Sequence, residues 1–115
     1  MIVVVLALLT AQETPPVWEK VGEAHGASIE VSAIRADGDI RYVDVRMSAP
    51  SNGRTMVMQI YVNCATRASR PNGDASVYVD GKLTETRTPP PDVMIERRIE
   101  NDPIAGPVVA RACRP

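Results

Sequence analysis

The stretch from Thr55 to Cys64 constrains the fold of this chain more than any other. Met56, Met58, Ile60, Val62 and Cys64 fall at period two on one face, with Thr55, Gln59, Tyr61 and Asn63 mostly on the other. Alternation sustained over such a length is the signature of a β-strand with one face packed and the other wet. The run ends on one of only two cysteines, and Cys64 is in phase with the apolar face. A second long run from Asp39 to Met47 places Val43, Val45 and Met47 together, and shorter strand-like stretches fall at 17–24 and 28–31. Ala36-Asp37-Gly38, Ser51-Asn52-Gly53, Pro71-Asn72-Gly73 and Asp80-Gly81 punctuate these runs with residues that tolerate positive φ. Ser76 to Val79 and Lys82 to Thr88 flank Asp80-Gly81 and predict a tight hairpin. A meander is the simplest topology.

Beyond Thr88 the pattern changes. Pro89-Pro90-Pro91 excludes a central strand, and Val93 to Glu100 reads as a last strand or an irregular edge. Gly106-Pro107 followed by Val, Val, Ala, Arg and Ala predicts a short helix carrying Cys113, since a first helical turn accepts proline. The fold class expected is α+β: a small antiparallel meander with a short C-terminal helix and one disulfide. A chain of 115 residues allows one domain, placed at 17–115. With no Phe, one Trp and three Tyr, the core must come from Val, Ile, Met and Leu. A disulfide closing the 49 residues between the two cysteines would contribute roughly 4 kcal/mol in the chain-entropy treatment.

The head, Ile2 to Leu9, is an apolar run too short for a membrane-spanning helix, which needs about 20 residues, and it suits the core of a signal peptide. The reading is a signal peptide over 1–11, cleaved after Ala11, and a linker over 12–16 containing Pro15-Pro16. No Lys or Arg follows Met1 directly, and Leu9 sits three residues before the cut. A buried N-terminal strand is the alternative, because Ile and Val form strands well. No cysteine near the cut is present to carry lipid. Export and an even pair of thiols together point to an oxidising compartment, the periplasm or the cell surface.

Catalytic chemistry is thinly represented. His25, the only histidine, lies between Ala24 and Gly26 and reads as a solvated turn residue. Asp37, Asp39 and Asp44 with Glu30 lack the spacing of a calcium loop, and Ser48, Ser51 and Ser69 have no elbow or triad context. No catalytic residue, cofactor or metal site is expected, and the chain reads as non-enzymatic. Arginine supplies 11 of the 13 basic residues, but Arg35, Arg41 and Arg46 alternate with Asp37, Asp39 and Asp44 as a mixed-sign surface. Only Arg67 with Arg70 and Arg97 with Arg98 form local positive clusters. Tyr61, Tyr78, Arg67 and Arg70 are the candidate partner-binding residues. Without aromatic interleaving of the basic residues, nucleic acid is not an expected partner.

The order of these features resembles the bacterial surface-adhesin protein E-like family. The resemblance runs through Trp18 to Val21, Ser28 to Val45, Tyr61 to Cys64 and Pro103 to Cys113, and covers residues 17 to 113. It implies an antiparallel sheet with a C-terminal helix, a Cys64–Cys113 disulfide, and a place in the periplasm or at the cell surface. It also implies a binding function toward a protein or envelope component, host matrix proteins being the partners of adhesive members. Glu30 stands where that family usually has Asp, and the aromatic residue often found ahead of the last segment is missing near Val93 to Ile99. The alternative function is a periplasmic structural or accessory protein without a dedicated ligand.

Overall fold

The alternation at Thr55 to Cys64 becomes the central strand of one antiparallel sheet in the computed structural model, which describes residues 17–98 and 102–114. The expected signal peptide (1–11) and linker (12–16) lie outside the described residues, as do positions 99–101 and 115. The elements are β1 (Glu19–Ala24), β2 (Ala27–Asp37), β3 (Ile40–Ala49), β4 (Arg54–Asn63), β5 (Ala68–Pro71), β6 (Ala75–Val79) and β7 (Lys82–Arg87). A 3₁₀ turn at Pro91–Val93, a two-residue β8 (Arg97–Arg98) and one helix, α1 (Ala105–Ala112), follow.

Strands β1 to β5 form the expected meander in sheet order, and β8 adds to the far side of β5. The meander then breaks. Ile60 of β4 faces Pro71, whereas Val57 of the same strand faces Ser76. β5 and β6 therefore run along one edge of β4 as a single strand, kinked where extra residues around Asn72-Gly73 are looped out. The kink is pinned to β4, because the Asn72 amide N–H donates to the Gln59 carbonyl at 2.8 Å and its side-chain amide donates to Gln59 Oε1. Pro71-Asn72-Gly73 thus bends the chain instead of reversing it, a correction to the turn expected there. Asp80-Gly81 does reverse it: both residues have positive φ, 50° and 82°, as a two-residue hairpin of this twist requires.

Three other expectations are amended. Among the described residues one eight-residue helix accompanies eight strands, so this part is mostly β and α+β fits it only loosely. The stretch expected at 28–31 extends through Asp37 as β2. Val93 to Glu100 supplies only the end of the 3₁₀ turn and β8, its last two positions lying outside the described residues.

One face of the sheet is packed. Ile29 and Val31 of β2, Val43 and Val45 of β3, and Ile60 and Val62 of β4 meet Val108, Val109 and Ala112 of α1. The helix starts where Asp102 stops the chain from straying: its Oδ1 accepts the N–H groups of Ile104 and Ala105, both at 2.8 Å. Pro107 falls in the first turn, where its missing N–H costs nothing. Pro107 also rests on Gly22 of β1, where an added Cβ would lie 3.2 Å from the proline ring. The disulfide joins Cys64, just past β4, to Cys113 at the end of α1, with Cα atoms 5.4 Å apart. Among the described residues no helix is long and apolar enough to cross a membrane.

Candidate binding face

Side chains directly opposite on neighbouring strands share a face, and alternation puts every second residue of β2, β3 and β4 on the face away from α1. That open face carries Glu30 and Ser32, then Tyr42, Asp44 and Arg46, then Thr55, Val57, Gln59 and Tyr61. Ile40, at the start of β3, shares this face and with Val57 is its aliphatic content on these three strands, and Ser32 is buried within it. Such a surface is the wet side of a sheet packed on one side only.

The side chains form rows across the strands. In the first row Arg35 of β2, Tyr42 of β3, Tyr61 of β4 and Arg70 of β5 stand opposite one another. The Arg35 guanidinium lies 5.4 Å from the Tyr42 ring centre, the two rings meet edge to face at 5.9 Å, and the Arg70 guanidinium lies 4.1 Å over Tyr61. The quadrupole of each ring attracts the cation above it and holds it in place. Arg70 also donates to the Pro71 carbonyl at 3.3 Å. Among the described residues neither guanidinium is paired with a carboxylate. The Tyr61 hydroxyl is hydrogen-bonded to Glu96, which raises its pKa above the ordinary 10.0, with desolvation adding to the shift.

The second row is Ser32, Asp44 and Gln59, continued by Asn72; Gln59 donates to Asp44 at 3.3 Å. The third row is neutralised: Arg46 makes two 3.0 Å hydrogen bonds to the Glu30 carboxylate, and its guanidinium stacks 4.7 Å from the Trp18 ring centre.

Arg35 reaches the first row because of a bulge. Ser32 faces Asp44 but Arg35 faces Tyr42, so β2 carries one extra residue, and Ala33 there has φ 50°. In an unbroken strand Arg35 would share the face of Ile29 and Val31. The extra residue turns Ile34 back toward the core and swings Arg35 onto the open face, a usual role of bulges.

Of the residues singled out in the sequence, Tyr61 and Arg70 are in contact. Tyr78 sits opposite Thr55 on the same face, but six residues along β4 from Tyr61, roughly 20 Å at strand spacing. Arg67 lies in the turn before β5 with φ 61° and is not part of the row. His25 occupies the β1–β2 turn with φ 53° and is exposed, with no hydrogen bond or ion pair to another described residue. Arg35, Asp44 and Arg46 share the open face as a mixed-sign surface, in which Arg46 is paired with Glu30 and Arg35 is stacked on Tyr42. Sequence reasoning missed Tyr42 and Arg35. The signal for Tyr42 was present in the Ser51-Asn52-Gly53 turn, because folding β3 back on β4 about that turn brings Tyr42 opposite Tyr61.

The packed face leaves two apolar recesses of about 250 and 270 Å³, one over Met47, Met56 and Val77 and the other over Met58, Ile60 and Val93. Ser69 and Asp102 both line the second, but no hydrogen bond joins them and Asp102 Oδ1 accepts the N–H groups of Ile104 and Ala105. No group of His, Cys, Asp or Glu suited to a metal ion is found among the described residues. No family model matches this chain, and no curated protein or solved structure matches it.

Proposed function

We propose that this protein is an exported, non-enzymatic binding module that engages an envelope component or a protein through the open face of its sheet. The observation that carries the reading is the first row: two cations stacked on two half-buried tyrosines, with no carboxylate to neutralise them. Fixing an arginine over a ring reduces the entropy lost when it meets a ligand, and stacked arginine and tyrosine are favoured at binding surfaces. A scaffold without a ligand has no use for unneutralised, pre-positioned cations on a face that covers nothing. The disulfide supports export, because such bonds persist in oxidising compartments. The order of sequence features that resembles the surface-adhesin protein E-like family implies the same function, though no family model matches the chain.

The test is retention on washed envelope fractions of the parent protein, His25→Ala and Tyr61→Ala/Arg70→Ala. The parent and His25→Ala should be retained equally and the double variant lost. Equal retention of all three refutes the open face as the binding surface. An intact mass showing a start near Gln12 in protein recovered outside the cytoplasm supports export, whereas Met1 retained in a cytoplasmic species refutes it.

A further inference from the structure

The open face suits one chemical class of partner better than others. A protein–protein interface needs a buried apolar or aromatic centre that excludes water. The Arg35–Tyr42–Tyr61–Arg70 row has no aliphatic member: Val57 lies two rows away beside the Arg46–Trp18 stack, Ile40 lies at the start of β3, Leu83 lies opposite the distant Tyr78, and Arg70 already covers a face of Tyr61. What remains available is polar. A guanidinium stacked on a ring keeps its N–H donors in its own plane, pointing outward from the stack, where they suit the paired oxygens of sulfate or carboxylate. Arg35 and Arg70 lie three strand spacings apart, roughly 14 Å. Between and beside them stand the Tyr42 hydroxyl in the row and the Gln59 amide in the next, whereas Ser32 is buried and the Tyr61 hydroxyl is held by Glu96.

We propose that the Arg35–Tyr42–Tyr61–Arg70 row binds an acidic polysaccharide, laid across the strands, with one sulfate or carboxylate at each arginine and sugar hydroxyls on the groups between. This rests on the reading of the open face as the binding surface and adds the class of ligand. Asp44 and Glu96 border the row and select against ligands whose charge falls between the arginines. The ligand is thus one with separated anionic groups and neutral hydroxylated units between them, which a densely charged acidic peptide is not.

The test uses dextran sulfate of low substitution, with unsulfated sugars between the charged ones, unsulfated dextran and poly-glutamate of matched length, titrated into the folded full chain at two salt concentrations. Dextran sulfate should bind, more weakly at higher salt as for any exposed charge contact, and unsulfated dextran should not. Arg35→Gln/Arg70→Gln should weaken dextran sulfate binding by about tenfold or more, the loss of two charge-assisted contacts. Arg111→Gln, which removes an arginine paired with Glu19 away from the row, should leave it unchanged. Far-ultraviolet circular dichroism checks that each variant is folded. Full-strength dextran sulfate binding by the double variant, or tighter binding of poly-glutamate, overturns the proposal. If dextran sulfate fails to bind but envelope retention is still lost in Tyr61→Ala/Arg70→Ala, the ligand class is wrong and the binding face stands. If envelope retention survives that variant, the face itself is wrong.

Discussion

Replacing both cysteines with alanine tests how the helix is held. α1 has eight residues, fewer than the ~12 at which an isolated helix becomes even marginal in water, so its order is imposed from outside. Burial of Val108 and Val109 contributes roughly 3–4 kcal/mol, while ordering eight backbone residues costs about 1 kcal/mol or more each. Docking of the helix by these two side chains does not cover that cost without the covalent tether. The tether closes a 49-residue loop, worth about 4 kcal/mol through the unfolded chain. Cys64→Ala/Cys113→Ala should therefore lose about 4 kcal/mol of the ~5–15 kcal/mol typical of a small domain. The amides of 105–112 should lose exchange protection before those of β3 and β4. Urea unfolding followed by the fluorescence of Trp18, the single tryptophan, gives the first quantity, and hydrogen exchange gives the second. A variant within about 1 kcal/mol of the parent, with α1 still protected, would refute the reasoning.

Val43→Ala, at a fully buried position under the helix, should cost about 2–3 kcal/mol in urea unfolding. Arg46→Ala removes the two bonds to Glu30 and the stack on Trp18 together; we expect a loss of about 1–2 kcal/mol and a changed Trp18 emission spectrum. Because Glu96 raises the Tyr61 pKa, the stability from that contact is fully present below pH 10.0 and is lost as pH rises through the raised value. Ultraviolet titration should show Tyr61 ionising late, and Glu96→Ala should move it back toward the ordinary range, leaving the part due to desolvation. Ala33→Gly should stabilise the protein by about 1 kcal/mol by relieving the left-handed backbone at the bulge, leaving ligand binding unchanged, as calorimetry and titration would report.

Period-two patterning made the packed face legible, because Val43, Val45, Ile60, Val62 and Cys64 must share a side whatever the partners are. Tight turns with residues tolerant of positive φ fixed which strands are neighbours. The hidden features were those that break the period. Nothing local marks Ala33 as a bulge, since alanine has no preference for positive φ, and so Arg35 counted from Val31 lands on the wrong face. The strand β5 escaped because Ala68 to Pro71 has no apolar alternation; Ser69 is buried and Arg70 is stacked on a ring. The kink at Asn72-Gly73 has the composition of a reversal, and only the Gln59 contacts across β4 show it to be a bend. Tyr61 and Arg70 were both legible as candidates, but their contact is a consequence of the β4–β5 register, nine residues apart in the chain.

The central claim is that the partner sits on the open sheet face and not on the helix side. A photo-activatable benzophenone side chain placed at Tyr42, in the row, or at Ala110, on the exposed side of α1, reads this out in intact cells. An adduct formed from position 42 and absent from position 110 is the result this account predicts, and adducts from 110 alone, or equally from both, would contradict it.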